Sequence, residues 1–140
     1  MSIDDAQKSV AALWRADPVA GALSIRIHSV EEHERDGVVV RLAMDAAPEF
    51  ANGRSLVHGG YLFLLADTAL AYCCEAAGRP SVTRSAEIAF LAPAEVGEEL
   101  VAVGHIRSVM SRTSVCDVRL STADGRLLAE FRGYAVTARP

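Results

Sequence analysis

The sequence predicts one α+β domain in which a single antiparallel sheet packs against one long, buried helix. The helix is indicated by the stretch from His58 to Gly78, which is apolar on nearly every side until Glu75, with one charge near its middle. Runs with the alternation typical of strands precede and follow it, and short turns between the later strands predict antiparallel pairing. The chain of 140 residues is long enough for one core, and no repeat or linker divides residues 1–140.

The amino-terminal residues predict a short helix and then a β-hairpin. Ser2, followed three residues later by Asp5, is close to a capping box, and Asp17 before Pro18 is expected to end the helix. The hydrophobic period then changes to two, which marks the start of the strands. The predicted hairpin consists of a strand at Leu23–His28, a turn at Glu31–Gly37 and a strand at Val38–Leu42.

The long helix and the second half of the sheet complete the chain. Pro48–Val57 is a loop that leads into the helix, and Gly78 and Pro80 end it. The remaining strands are predicted at Val82–Leu91, Glu98–Val109, Thr113–Ser121 and Leu127–Thr137, with a two-residue hairpin turn at Asp124-Gly125. Because one sheet covers only part of a helix that is apolar all round, a second subunit is expected to cover the rest.

Composition and charge exclude several classes of function. The net charge is −4 and lysine and arginine do not cluster, so neither nucleic acid nor an anionic membrane surface is an expected partner. The first residues lack a basic segment followed by an apolar one, so no secretory signal is expected. Three cysteines, two of them adjacent on the helix, predict buried free thiols in a reducing cytoplasm. No ligand cluster surrounds His28 or His33, so no metal site is predicted.

The residues that could carry chemistry lie around the start of the long helix. Gly59 and Gly60 leave backbone N–H groups uncovered at a helix N-terminus, where the helix dipole favours negative charge, as an oxyanion hole requires. Asn52 and His58 flank this turn and offer side-chain hydrogen bonds. Asp67 is the only charge inside the apolar run, and a lone buried carboxylate is costly unless it is paired, hydrogen-bonded or functional. A structural hydrogen-bonding role for Asp67 is the alternative.

The spacing between the two candidate groups limits how they can cooperate. Seven residues separate Gly60 from Asp67, which corresponds to about 10 Å along a helix axis. The two groups of one chain are therefore too far apart to act on the same atom. If both act, they must come from different subunits of a two-fold dimer.

A set of short motifs at this separation resembles the hotdog-fold acyl-CoA thioesterases, and within them the phenylacetyl-CoA thioesterases of phenylacetate degradation. The resemblance covers roughly Gly37 to Val136 and implies a hotdog fold, in which the sheet wraps around the long helix. It also implies a homotetramer of paired dimers with active sites between subunits, and no cofactor, since coenzyme A is part of the substrate. The motifs are Asn52-Gly53, His58-Gly59-Gly60, Leu65-Ala66-Asp67-Thr68-Ala69, Ile88, Phe90-Leu91-Ala92-Pro93-Ala94 and Gly97.

The resemblance also assigns roles to individual residues. Asp67 would be the catalytic carboxylate, acting as nucleophile or as general base, and the N–H of Gly60 would polarise the thioester carbonyl. Asn52 and His58 would position the thioester and the loop, while Thr68 and Ser85 match positions that orient the carboxylate or the water. The expected substrate-binding residues are Gly59, Tyr61, Leu64 and Phe50 around the acyl group and Arg112 near the nucleotide end of coenzyme A.

The expected activity is hydrolysis of a small aromatic or medium-chain acyl-CoA, of the aryl-acetyl or benzoyl type, to the free acid and coenzyme A. One alternative is a hydratase or dehydratase on the same fold, which needs a histidine paired as acid and base. Neither His58 nor His105 forms an obvious pair of that kind. The other alternative is a non-catalytic acyl-CoA-binding module. The acyl group, the choice between nucleophile and base, and the choice between dimer and tetramer stay open.

Overall fold

The computed structural model describes residues 1–138. They form a six-stranded antiparallel sheet with three helices and a short 3₁₀ turn. The helices are α1 (Ile3–Arg15), α2 (Pro18–Ala22) and α3 (Gly59–Ala76), and the 3₁₀ turn is Pro48–Phe50. The strands are β1 (Arg26–His33), β2 (Gly37–Asp45), β3 (Ser81–Phe90), β4 (Glu99–Met110), β5 (Thr113–Thr122) and β6 (Leu127–Thr137).

The two amino-terminal helices begin at side-chain caps. The predicted capping box is confirmed, since the Asp5 N–H donates to Ser2 Oγ at 3.1 Å and the Ser2 N–H donates to Asp5 Oδ2 at 3.2 Å. Asp17 and Pro18 do more than end α1, because the Asp17 side chain caps α2 and Pro18 is its first residue. An acidic N-cap followed by proline is typical of the start of a helix. In the sequence the same pair predicted only the end of α1.

The order of strands in the sheet is β1-β2-β4-β5-β6-β3. The β1–β2 hairpin and the β4–β5–β6 meander are confirmed. The expectation that β3 also pairs with its successor is wrong, because β3 pairs with β6 and forms an edge of the sheet. The connection from β3 to β4 is too long for a tight hairpin, and it passes the start of α3, where the Val57 N–H donates to the Ala94 carbonyl at 2.8 Å.

Two predicted turns differ in length from the observed ones. Strand β1 spans Arg26–His33, so Leu23–Ile25 of the predicted strand lie outside it and the predicted turn at Glu31–Gly37 shortens to residues 34–36. Exposed polar residues are tolerated there because β1 is an edge strand with one open face. The β5–β6 loop spans four residues, 123–126, instead of two, and within it the Thr122 N–H donates to the Arg126 carbonyl and Gly125 adopts a φ of 96°.

Helix α3 lies across the inner face of the sheet and contributes nine buried residues to the core, more than any other element. The chain itself supplies more of its cover than the sequence predicted. Helix α1 packs against α3, with Ser9 Oγ donating to Glu75 Oε1 at 2.8 Å, and the hydroxyl of the buried Tyr72 donates to Asp17 Oδ2 at 2.8 Å. One stripe of α3 still lacks full cover, and we call it the open stripe; its members are Gly60, Phe63, Leu64, Asp67, Thr68 and Ala71.

The three cysteines are buried free thiols, as the sequence predicted. Burial raises the pKa of the Cys73 thiol. No helix formed by residues 1–138 has both the length and the apolarity that crossing a membrane requires.

Candidate active site

The start of α3 presents backbone N–H groups toward the open side of the molecule. His58 is the N-cap residue, and its Nδ1 accepts a hydrogen bond from the Gly60 N–H at 3.3 Å. Gly59 is the first helical residue, and its N–H has no hydrogen-bond partner within residues 1–138. The dipole of α3 adds partial positive charge at this point. The Gly59 N–H is therefore the donor best placed to receive a developing negative charge.

Gly59 is also the site of a close approach between helix and strand. A Cβ at this position would lie 2.9 Å from Cζ of Phe90, a distance that side chains do not tolerate without movement. The Phe90 ring, at the end of the edge strand β3, is 55% exposed. A largely apolar groove of about 460 Å³ opens beside it. The groove is lined by Asn52, Leu56, Val57, Gly59, Leu62, Phe90, Leu91, Ala92, Pro93 and Ala94.

Asp67 lies on the open stripe and is half-buried in the single chain. The sheet ends at β3 and leaves this side of α3 uncovered within the single chain, so burial of the carboxylate by a second subunit stays a prediction. Its Oδ1 accepts a hydrogen bond from Thr83 Oγ1 at 2.7 Å. Its Oδ2 has no hydrogen-bond partner in the described part of the chain. One carboxylate oxygen is thus held by the sheet, and the other is free to meet water or substrate.

Thr83 is a residue that the sequence analysis missed, and it stands where Thr68 or Ser85 was expected. Thr68 Oγ1 donates to the Leu64 carbonyl of its own helix at 2.8 Å. Strand β3 has a bulge between Thr83 and Ser85, so the two side chains lie on opposite faces of the sheet. The structure brings Thr83, and neither Thr68 nor Ser85, to the Asp67 carboxylate.

The loop before α3 is held by Asn52 and by aromatic packing. Asn52 Oδ1 accepts hydrogen bonds from the N–H groups of Arg54 and Leu56, at 2.8 and 3.2 Å. The buried Phe50 stacks on Tyr61, with ring centroids 4.0 Å apart. The amide of Asn52 therefore stabilises the turn, and its side chain borders the groove beside Gly59.

The predicted site residues fall into three groups in the single chain. Phe50, Asn52, His58, Gly59, Gly60 and Tyr61 cluster at the start of α3. Asp67 and the half-buried Leu64 lie further along the open stripe. Arg112 is exposed in the β4–β5 turn, beyond the other end of α3, where the Arg79 guanidinium donates to the Ser111 carbonyl at 2.9 Å.

Comparison with known proteins assigns the family. The family model described as the thioesterase superfamily matches residues 55–129, a segment that contains Gly59, Asp67 and Thr83. The chain belongs to the thioesterase superfamily. It is 36% identical over 122 residues to the acyl-coenzyme A thioesterase PaaI of Escherichia coli, covering 87% of this chain and 84% of that protein. It is 29% identical over 92 residues to human acyl-coenzyme A thioesterase 13, covering 64% and 66% of the two chains.

A solved structure shows the same relationship for this thioesterase superfamily member. The E. coli PaaI protein from the phenylacetic acid degradation operon superposes with a TM-score of 0.89 at 32% identity, covering 97% of this chain and 95% of that one. The predicted family and the predicted hotdog fold are confirmed. Among residues 1–138, no group of three or more His, Cys, Asp and Glu side chains is arranged to hold a metal ion.

Proposed function

We propose that the protein is an acyl-CoA thioesterase whose Asp67 carboxylate and Gly59 N–H act together on the thioester. The observation that carries the proposal is the carboxylate itself. Thr83 holds one of its oxygens at 2.7 Å, while the other oxygen faces the open stripe without a partner in the described chain. The relationship to PaaI, which is named an acyl-coenzyme A thioesterase, supports the substrate class.

The two groups require a second copy of the chain. Gly59 and Asp67 are eight residues apart on one straight helix, about 12 Å along its axis, so one carbonyl cannot contact both. The edge strand β3 supports such pairing, since Val82 is 73% and Phe90 55% exposed along it. Each active site of the proposed dimer then combines Asp67 of one subunit with Gly59 of the other. The predicted homotetramer, two such dimers, stays a prediction.

The chemistry needs only these groups and a water molecule. In one route the free oxygen of Asp67 takes a proton from water as the water attacks the carbonyl carbon. The Gly59 N–H stabilises the negative charge that develops on the carbonyl oxygen, and collapse expels the thiolate of coenzyme A, which takes up the proton. In the other route the carboxylate attacks the carbonyl carbon and expels the thiolate of coenzyme A, leaving an acyl–enzyme anhydride. Water then hydrolyses the anhydride and restores the carboxylate, and the proton that the water releases goes to the thiolate. Both routes give the free acid and coenzyme A.

The substrate is proposed from the groove and from the ends of the site. The largely apolar groove of about 460 Å³ beside Gly59 suits a small aromatic or medium-chain acyl group. Phe50, Tyr61 and Leu64 do not line this groove in the single chain, and their contact with the acyl group stays a prediction. In a two-fold dimer that pairs Gly59 with Asp67, the C-terminal end of α3 lies toward the helix start of the partner, and the β4–β5 turn that carries Arg112 is next to that end. Arg112 can then meet the phosphates of coenzyme A. A cytoplasmic location remains a prediction.

The decisive experiment is a panel of acyl-CoA esters with detection of the released thiol, run on the wild type and on Asp67→Asn. The panel compares phenylacetyl-, benzoyl-, hexanoyl- and acetyl-CoA. We expect the wild type to release coenzyme A and Asp67→Asn to lose nearly all activity, because an amide neither accepts the proton nor attacks the carbonyl.

A matched control separates loss of chemistry from loss of structure. Glu75→Gln changes another carboxylate on the same helix, one that pairs with Ser9 and lies outside the proposed site, and it should keep wild-type turnover. Near-normal turnover by Asp67→Asn would overturn the mechanism. Absence of thiol release from every ester, with binding retained, would favour the acyl-CoA-binding module instead.

A further inference from the structure

Two buried cysteines join the end of α3 to the sheet, and the proposed mechanism uses neither of them. Sγ of Cys74, in the last turn of α3, lies 3.8 Å from Sγ of Cys116 on β5. The two residues are 42 positions apart in the sequence, so the fold brings the sulfurs into contact. Sulfur atoms joined in a disulfide are about 2.0 Å apart, so an approach of about 1.8 Å would allow this pair to bond.

Cys73 provides an internal comparison, because it is adjacent to Cys74 and equally buried but has different neighbours. Its Sγ faces β4, where a Cβ added at Gly104 would lie 3.0 Å from it. Within residues 1–138 it makes no hydrogen bond to a second thiol. Burial raises the pKa of the Cys73 thiol, and a protonated thiol is a poor nucleophile.

The surroundings of Cys74 favour its thiolate form. The hydrogen bond with Cys116 lowers the pKa of the Cys74 thiol, and Ser81 and the Arg79 guanidinium act in the same direction against the effect of burial. The same hydrogen bond raises the pKa of the Cys116 thiol, which is therefore the protonated partner. Arg79 is fixed there, since its Nε donates to Ser114 Oγ at 3.0 Å. Ser114 and Cys116 are two residues apart on the buried face of β5, about 7 Å along the strand.

The pair lies beneath the end of a helix, where the backbone opens most easily. Helix α3 ends in a Schellman motif, in which the Arg79 N–H donates to the Cys74 carbonyl at 2.8 Å and the Gly78 N–H donates to the Glu75 carbonyl at 3.0 Å. Gly78 is exposed, with a φ of 69°, and Arg79 is half-buried. Helix ends fray, so opening of this last turn admits a small uncharged oxidant to Cys74 while the sheet stays folded.

We propose that Cys74 and Cys116 form a site of reversible oxidation by hydroperoxides, which closes a disulfide between the last turn of α3 and β5. With hydrogen peroxide, the Cys74 thiolate attacks one oxygen and breaks the O–O bond, which gives a sulfenic acid and a hydroxide that takes up a proton to become water. The Cys116 sulfur then attacks the Cys74 sulfur and displaces the hydroxyl group, which leaves as a second water with the Cys116 proton. Two thiols are oxidised and one peroxide is reduced. In a reducing compartment such a bond is transient, and a dithiol reverses it.

Disulfide mapping of the native wild type tests the site. After treatment with hydrogen peroxide, we expect the free thiols to fall from three to one, with the chain still a monomer on a denaturing gel without reductant. Tryptic digestion without reductant should link residues 55–84, which contain Cys74, to residues 113–119, which contain Cys116. Dithiothreitol should restore all three thiols. Cys73→Ala is the matched control and should form the same bridge, while Cys74→Ala should form none.

The unfolded chain is the second control, because it offers Cys73 and Cys74 equally to Cys116. In urea, peroxide should link Cys116 to either neighbour, whereas the native chain should use Cys74 alone. Fragmentation of the linked peptide distinguishes the two bridges in the wild type, so the test holds even if a variant fails to fold. A native bridge through Cys73, a disulfide between two chains, or a bridge that forms only in urea would overturn the proposal.

Discussion

At the scale of single residues, the proposed mechanism depends on the hydrogen bond between Thr83 and Asp67. The hydroxyl holds Oδ1 at 2.7 Å and so decides which oxygen of the carboxylate remains for water or substrate. A hydrogen bond to a charged group is worth about 1.5–3 kcal/mol, and the loss falls on catalysis when the bond orients a reacting group. Thr83 is therefore a positioning residue in the proposed mechanism.

Replacement of Thr83 should lower turnover without weakening substrate binding. We expect Thr83→Val to reduce kcat by about 10- to 100-fold with KM little changed, because the carboxylate keeps its charge and loses its orientation. Thr83→Ser keeps the hydroxyl and should restore most of the rate. Steady-state kinetics on the best ester of the panel measures both variants. If kcat falls equally in Thr83→Val and Thr83→Ser, the cause is the packing of the strand and not the hydroxyl.

The sequence predicted Asp67 as the candidate carboxylate but did not predict Thr83 as its hydrogen-bond partner, for a physical reason. A carboxylate inside an apolar helix stands out because its burial is costly, whatever the tertiary structure. The partner depends on which residues of β3 face the helix, and the bulge between Thr83 and Ser85 changes that assignment. A β-bulge has no reliable mark in the sequence. Ser85, two positions further on, keeps only the role that the resemblance implied.

At the scale of elements, the first turn of α3 is a donor site made by the backbone. The sequence indicated the helix N-terminus, and the structure shifts attention from Gly60 to Gly59. The Gly60 N–H already donates to His58 Nδ1, while the Gly59 N–H has no partner within residues 1–138. Whether a side chain caps a helix depends on local geometry. Histidine is not among the strongly preferred N-cap residues, so its residue type did not indicate that His58 would accept the Gly60 N–H.

The Gly59 N–H can be removed by a substitution that the helix tolerates. Proline suits the first helical position, and the residue before it must be extended, as His58 already is with ψ of 132°. Gly59→Pro should lower kcat about 100- to 1000-fold, the usual cost of one lost oxyanion donor. Gly59→Ala makes the same close approach to the Phe90 ring and keeps the N–H, so it isolates the donor from the contact. Equal rates for the two variants would assign the donor elsewhere, with Gly60 the next position to test.

The strands show where element-level prediction stopped. Alternation, β-branched runs and apolar runs located at least part of each of the six strands, and the buried face of β5 follows the predicted pattern at Cys116, Val118 and Leu120. Which strands pair depends on the path of the chain between them, and the connection after β3 crosses the start of α3 to reach the other side of the meander. Tertiary packing determines that path, so the local hydrophobic pattern cannot predict which strands pair.

At the scale of the whole molecule, the single chain forms the entire six-stranded sheet and, in the proposed mechanism, only half of each active site. The sequence predicted a second subunit from the uncovered apolar surface of α3, and part of that surface is covered by α1 and by Asp17, which accepts the Tyr72 hydrogen bond. What remains is the open stripe, which carries Asp67 and Phe63 side by side. A second subunit is therefore expected for two reasons: the open stripe is incompletely buried, and it contains half of each proposed site.

Mixing two inactive variants tests this sharing of residues. Asp67→Asn and Gly59→Pro each inactivate both sites of their own homodimers. A heterodimer of the two has one site with both defects and one site with wild-type Asp67 and wild-type Gly59. Random exchange of equal amounts makes about half of the dimers heterodimers, so activity should recover to about a quarter of the wild-type level. Thiol release measured after co-refolding, with each variant refolded alone as control, reports the recovery. If each site were built within one subunit, every site in the mixture would carry one defect and no activity would return.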